Sequence, residues 1–343
     1  MAARLISIDE GNGNVKVVTS KGRFGFQSVY GVASNMIDDF GGGVFKPNHD
    51  YLLRIEDQIY SIGETVYFRG VTPVSVHHES RVEDPFYKIL FMAALSLSLG
   101  GSCTVEPVLS LPPRYYNRKE VVKDLLAGTY TFGVFDPKVK EWKTQTYVVP
   151  YELMKIIPEG MGTVCSMVLK PNGGEYPNTD LHKKVVGIVD IGTYTTDLVM
   201  LDQLRLVKSG TDSIEQALSK LYQGIKEYAD SESVTIHGYE LDKAFKSGYF
   251  LKSGNRVPLA PIIHRWAQNL SEAIVAAIRS KWNGGDAVEQ IVVTGGGAEV
   301  IAPFIMKAFK HARIVETPDN IEHYYTNAEG GYRFGMMLKA MGK

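Results

Sequence analysis

Two short stretches, far apart in the chain, carry the same chemistry. Ile6-Ser7-Ile8-Asp9-Glu10-Gly11-Asn12-Gly13-Asn14-Val15-Lys16-Val17-Val18 reads as an apolar strand, an Asp-x-Gly turn and a second apolar strand. Residues 187–200 repeat the pattern, so that Asp9 answers to Asp190, Gly11 to Gly192 and Asn14 to Thr195. A tight turn of Gly, Asn and Thr aims successive backbone N–H groups at one point, and such a nest binds anions. An Asp at the mouth of each turn would repel a phosphate unless a cation lies between them. The pair therefore implies two phosphate-binding hairpins facing each other across a cleft, with Mg²⁺ between, in a chain of two related halves.

Each stretch has a plainer explanation to set beside this one. Asn12, Gly13 and Asn14 can offer N–H groups to a phosphate, and Lys16 adds a positive charge on the next strand. Gly11-x-Gly13 alone resembles the start of a dinucleotide fingerprint, but the third Gly is missing and a strand follows instead of a helix. An ordinary hairpin turn would account for Gly13 by itself. The second turn is more specific, because Thr193, Thr195 and Thr196 put three hydroxyls into it. Asp190 also ends a buried strand on the side where α/β proteins place ligands. Asp197 reads first as an acceptor that holds the turn. Thr294-Gly295-Gly296-Gly297-Ala298 joins a buried strand to a helix, and packing alone would usually need one or two glycines there. Three let a phosphate or a flat ligand approach the backbone at a helix N-terminus. Glu159 follows Pro158 at an expected helix start, where the helix dipole alone favours Glu. Glu240 and Lys243 lie three apart on an expected helix and share a face, as a solvated surface pair would.

The elements that must position these residues follow from the pattern. The chain has 343 residues, 44% of them hydrophobic, and a formal net charge of −1. That length favours two domains, and the composition excludes general disorder. The charge balance gives no argument for direct nucleic-acid or membrane binding. Cys103 and Cys165 have no Cys-x-x-Cys spacing, so neither a disulfide framework nor a zinc ribbon is expected and a reducing cytoplasm fits. One Arg precedes the first strand, so no signal peptide is expected, and the longest apolar run, 89–100, is too short to span a bilayer. His77-His78 lacks metal-ligand spacing and reads as a surface loop. Strands are expected over 5–8, 15–19 and 24–30, and a hairpin over 51–62 turns through Glu56-Asp57. Residues 32–80, with Gly41-Gly42-Gly43, read as a small inserted subdomain. Asp84-Pro85 opens a helix to about Leu99. A strand over 104–110 stops at Leu111-Pro112-Pro113, and Lys170 to Asp180, rich in Pro, Asn and Gly, marks the boundary between halves. Helices are expected over 158–169, 213–228, 238–247, 259–279, 298–309 and 327–341.

In this order, the Asp-x-Gly hairpin, the Pro-Glu helix, the Asp-x-Gly-Thr-x-Thr hairpin, the Gly-Gly-Gly loop and the closing Asn helix resemble the actin, Hsp70 and hexokinase superfamily. Leu109-Ser110-Leu111-Pro112 with Tyr115, Ile157-Pro158-Glu159-Gly160 and Val292-Val293-Thr294-Gly295-Gly296-Gly297-Ala298-Glu299 are similar to bacterial actin-like ATPases of the plasmid-partition (ParM) type. The resemblance implies an α/β, actin-like two-domain fold of duplicated RNase H-like halves, with nucleotide in the interdomain cleft. Domain I would cover 1–180, with an insertion about 32–80, and domain II 181–326, with an insertion about 213–258. Residues 327–343 would form a C-terminal helix returning to domain I. Asp9 and Asp190 would hold Mg²⁺ through water. Asn12, Gly13, Asn14 and Lys16, after the turn at Gly11, would grip the β- and γ-phosphates of ATP from one side, and Gly192, Thr193 and Thr195 from the other. Glu159 would orient the attacking water, with Asp190 as its catalytic partner. Gly295, Gly296 and Gly297 would lie under the α-phosphate and sugar, Glu240 and Lys243 would reach the ribose and adenine, and Gly210-Thr211-Asp212 would open a helix near the ribose. Asn12 and Tyr194 depart from the smaller residues frequent at those positions.

The implied function is a cytoplasmic ATPase that forms homopolymeric filaments and segregates a cargo such as plasmid DNA through a DNA-binding adaptor. The alternatives are a nonpolymerising nucleotide switch or scaffold of the same fold, and a small-molecule kinase, for which no sugar-binding signature is present.

Overall fold

The computed structural model describes residues 3–33, 51–75, 84–177 and 179–342. Gly41-Gly42-Gly43 and His77-His78 lie outside the described residues.

Two sheets carry the chain, and each is built round one of the two hairpins. In the first core the strand order is Gly22–Gln27, Asn14–Thr19, Arg4–Glu10, Cys103–Leu111, Lys155–Pro158. The first three run antiparallel and the last two join parallel. In the second core the order is Arg205–Leu206, Thr196–Asp202, Val185–Ile191, Gln290–Thr294, Ala312–Ile314, with the same directions. The central strands are buried on both faces and so read as continuous apolar runs rather than alternating ones.

Several elements form for the reasons their sequences suggest. The Asp84 carboxylate accepts from Phe86 N–H at 2.8 Å and Pro85 takes the first helical position, so the helix Pro85–Leu99 starts there; Gly100, in the left-handed region, ends it. The hairpin Leu52–Ile55 and Gln58–Ile62 also forms. It is no separate unit, however: Leu53 pairs with Val134 of the strand Gly128–Asp136, and the hairpin prolongs the first sheet. The helix expected from 213 begins instead at Leu218 and runs to Ser231. Asp212–Ile214 forms a strand against Thr196–Asp202, because that edge offers unpaired backbone groups. Leu218 N–H and Ser219 N–H donate to the carbonyls of Gly192 and Thr193, which fixes the helix start under the second turn.

The two cores exchange helices. Met161–Val168 leaves the first core but packs its Val164, Cys165 and Val168 against Val186, Ile188 and Val199 of the second sheet. Thr326–Ala340 leaves the second core and lies on Arg4–Glu10, Asn14–Thr19 and Cys103–Leu111 of the first. The two helices cross where a Cβ on Gly330 would sit 1.6 Å from the Gly162 carbonyl oxygen, so only glycine fits. Arg333, fully buried, locks the crossing: it donates to the Ser166 and Leu169 carbonyls and pairs with Glu329 and Asp319. Among the described residues no helix is long and apolar enough to cross a membrane.

Candidate functional site

The two hairpin turns meet across a cleft of about 1400 Å³ lined by residues of both cores. They come so close that a Cβ on Gly13 would sit 2.2 Å from Thr193 Oγ1. Hairpin pairing puts Lys16 opposite Asp9, and Lys16 Nζ lies 2.9 Å from Asp9 Oδ2. Burial works against the lysine's charge, but Asp9, Tyr324 and Asp190 outweigh it and hold the ammonium above its ordinary range. In the second hairpin the same register puts Asp197 opposite Asp190. Gly192 N–H donates to Thr195 O at 2.9 Å and closes that turn.

Glu159 lies directly after the strand Lys155–Pro158, not inside a helix. Its N–H donates to Leu111 O at 2.8 Å, and Gly160, at φ +82°, turns the chain into the helix that starts at Met161. That turn points Glu159 into the cleft instead of along a helix surface. Burial first, then the charges of Asp9, Asp197 and Asp190, push Glu159 well above the usual carboxylate range. Burial, aided by Asp9, raises Asp190 to about 6. Asp197 rises to about 7 for the same leading reason, with Asp190 and Asp9 adding to it. Its Oδ1 is buried with no hydrogen-bond partner.

These groups form a pocket of excess negative charge, and a divalent cation suits it. Among the described residues no three carboxylate, histidine or cysteine groups converge as a direct ligand set. The fit is therefore to an ion held through its water shell, as Mg²⁺ usually is.

Of the residues singled out in the sequence, Asp9, Gly11, Asn12, Gly13, Asn14, Lys16, Glu159, Asp190, Gly192, Thr193, Thr195, Gly295 and Gly296 line the cleft. Four do not. Gly297 packs against Ile191, and its N–H donates to Ile191 O at 3.1 Å. Gly295, at φ +90°, is also required by packing, since a Cβ there would lie 2.3 Å from Asp190 Oδ1. Gly296 alone of the three has room for a Cβ, which would meet Leu218 at 3.6 Å and Tyr324 at 3.9 Å, ordinary contact distances. Gly210 is buried below the site, where its carbonyl accepts from Trp282 Nε1 at 2.6 Å; it ends the 3-10 turn Lys208–Gly210 and opens no α-helix. Glu240 turns back to cap its own helix, accepting from His237 N–H at 2.9 Å, and Lys243 also stays outside.

That helix instead presents Asp242 and Lys246, which pair at 2.7 Å, while Tyr222 O–H donates to Asp242 at 2.9 Å. Tyr324 lies between the cores, with Lys16 Nζ 5.1 Å and Lys246 Nζ 5.9 Å from its ring centroid. Asn327, at the start of the closing helix, donates from Nδ2 to Asp190 Oδ2 at 2.6 Å. The sequence pattern pointed to the helix of Asn327 but not to this bond, and Tyr324 and Asp242 had no motif to mark them.

Known proteins share this fold. The family profile described as the actin-like protein N-terminal domain matches residues 7–162, and that of the archaeal actin homologue MreB-like, C-terminal, matches 188–307. No curated protein sequence matches the chain. Among solved structures, ParM in a 15-stranded filament from Clostridium botulinum is similar over 98% of this chain and 99% of its own, at 18% identity and a TM-score of 0.77. Alp7A, an actin-like protein, is similar over 98% of this chain and 97% of its own, at 16% identity and a TM-score of 0.76. The archaeal actin homologue Ta0583, in complex with ADP, is similar over 99% of this chain and all of its own, at 16% identity and a TM-score of 0.73.

Proposed function

We propose that this chain, which matches actin-like profiles over residues 7–162 and 188–307, is an actin-superfamily ATPase whose nucleotide cycle drives its own assembly into filaments. The observation that carries the reading is the set of carboxylates gathered with Lys16 where the two turns meet: Asp9, Glu159 and Asp197, which are buried, and Asp190, which is half-buried. Such a set has no structural purpose by itself. Each buried charge costs free energy, and Lys16 answers only one of them.

On this reading the domains are 1–180, with an insertion about 32–80, and 181–326, with an insertion about 213–258, followed by a C-terminal segment that returns to the first, and they correspond to duplicated RNase H-like halves; the shared strand order supports this. The turns at Gly11–Asn14 and Gly192–Thr195 present N–H and hydroxyl donors to the β- and γ-phosphates from opposite sides. Lys16 adds a positive charge to the same side as Asn12. Gly296 leaves room for the α-phosphate and sugar, and Asp242, Lys246 and Tyr324 face the nucleoside end. Mg²⁺ supplies the charge that lets Asp9 and Asp190 remain ionised beside a triphosphate, where two like charges 4 Å apart repel by about 4 kcal/mol at an effective dielectric of 20. Glu159 orients the attacking water, and the backbone donors stabilise the developing phosphoryl charge. Loss of the γ-phosphate removes a bridge between the halves and loosens the cleft.

ParM of Clostridium botulinum and Alp12 are both known in filaments. A head-to-tail contact whose rotation does not close gives the same outcome here. A cargo such as plasmid DNA would be reached through an adaptor, since the charge balance gives no basis for direct binding.

The test is light scattering and sedimentation with ATP and Mg²⁺. Scattering should rise above a critical concentration and decay as phosphate is released. Asp190→Ala and excess chelator should each abolish both signals. Protein that hydrolyses ATP yet stays monomeric would be a nucleotide switch, and a phosphorylated small-molecule product would make it a kinase. Full ATPase activity in excess chelator would remove the metal from the reading.

A further inference from the structure

Asn327 is 5% exposed, and it makes more side-chain bonds than a helix start requires. Its Nδ2 donates to Asp190 Oδ2 at 2.6 Å. Its Oδ1 accepts from Gly160 N–H at 2.9 Å, Thr163 N–H at 3.2 Å and Thr163 Oγ1–H at 3.1 Å. One amide therefore joins three separate pieces of chain: the end of the strand that carries Asp190, the peptide that follows Glu159, and the closing helix. Beside it, Thr326 Oγ1 lies 2.8 Å from Thr294 Oγ1, the residue before Gly295.

The chemistry of the amide is specific to this place. An amide both donates and accepts, so it can face a carboxylate on one side and backbone N–H groups on the other. A carboxylate here would repel Asp190, and a lysine could not accept from Gly160. With Oδ2 of Asp190 occupied, the carboxylate has one orientation.

We propose that Asn327 is a positioning residue for hydrolysis, which fixes Asp190 and Glu159 as one rigid pair by holding the Asp190 carboxylate and the Glu159–Gly160 peptide on a single side chain. This rests on the ATPase reading above. It adds that the register between the metal-facing carboxylate and the water-facing one is set by the closing helix and not by either hairpin. Groups that orient a carboxylate toward a metal typically change metal affinity or activity 10- to 100-fold when removed.

Two substitutions separate the arms of the amide. Asn327→Asp keeps an oxygen for Gly160 and Thr163 but loses the donor to Asp190. Asn327→Ala loses both. Calorimetry with ADP, with and without Mg²⁺, should show wild-type ADP affinity in the absence of metal for both variants and a Mg²⁺ enhancement reduced about 10- to 100-fold. Steady-state assays should show kcat for ATP lowered over the same range, with KM within about threefold. Amide hydrogen exchange at Gly160 and Thr163 should stay slow in Asn327→Asp and speed up in Asn327→Ala. If the alanine variant does not fold, Asn327→Asp carries the test alone. Wild-type Mg²⁺ enhancement and kcat in Asn327→Asp would overturn the inference while leaving the ATPase reading intact. Wild-type protein that binds no nucleotide would overturn the ATPase reading, and this inference with it; wild-type nucleotide binding without any Mg²⁺ enhancement would overturn this inference alone.

Discussion

The two hairpins have one backbone frame and opposite electrostatics. In the first, Asp9 faces Lys16 across the strand pair and the two form an ion pair at 2.9 Å. In the second, the same register brings Asp190 opposite Asp197. Like charges directly opposite in a sheet are destabilising. The second hairpin borrows a neutral partner for one of them, the Asn327 amide on Asp190. The first half thus carries its own cation and the second half demands one. The same division runs through the neighbouring loops. Cys103–Leu111 leads into Pro112-Pro113, whereas Gln290–Thr294 leads into three glycines. One half is stiff and charge-balanced; the other is open and short of positive charge. A cation–phosphate ligand would be met by a prepared first half and would complete the second.

Opposite signs follow for the two facing residues, and the largest effect belongs to the first hairpin. Lys16→Met leaves Asp9 buried without its partner and should destabilise the nucleotide-free protein by about 3–5 kcal/mol in urea unfolding. A loss under about 1 kcal/mol would mean that the first hairpin is not balanced by this pair. Next, Glu159→Ala should bind ATP normally but release phosphate roughly 10²–10³-fold more slowly, within the scale of a positioned acid–base group. Unchanged phosphate release would take Glu159 out of the reaction.

Asp197→Asn should act the other way on stability. Asp197 holds its proton up to about 7 when folded, against about 3.9 in an unfolded chain, so folding becomes less favourable as pH rises between those values. Without nucleotide or Mg²⁺, the variant should match wild type near pH 4. Near pH 8 it should be more stable by about 2–4 kcal/mol. Equal stability at both pH values would show that the second hairpin bears no such cost. The smallest effects sharpen the loop comparison. Gly295→Ala meets a positive φ and the Asp190 carboxylate, and should cost about 1–3 kcal/mol. Gly296→Ala makes only ordinary contacts with Leu218 and Tyr324 and should change folding stability by less than about 0.5 kcal/mol while weakening nucleotide binding.

What the sequence made legible was whatever a residue and its near neighbours decide. The Asp-x-Gly turns, the Asp84 cap and the helix Gly238–Ser247 all depend on local spacing and appear where the spacing puts them. Elements whose partner is distant were not legible. Asp212–Ile214 looks helical in isolation and becomes a strand because the edge of Thr196–Asp202 is beside it. Glu240 and Asp242 lie on the same short helix; only its docking decides that Asp242 faces the cleft. The three glycines looked alike, yet a Cβ on Gly297 would strike Ile191 while one on Gly296 would only touch Leu218 and Tyr324. Asn327 was one polar residue at a helix start until Asp190 and Gly160 were placed against it.

The exchanged helices make the halves inseparable in a way that their matching strand order conceals. A fragment ending at 158 would lack the segment Thr326–Ala340 that covers its own sheet, and the remainder would lack Met161–Val168 only if the cut fell after 168. Neither piece is a module that could be inherited, shuffled or expressed by itself without exposing an apolar face. A backbone nicked between 170 and 180 is another matter. Each piece would then retain a helix that belongs on the other, and the two would reassociate through the glycine crossing of Gly162 and Gly330 as split proteins do.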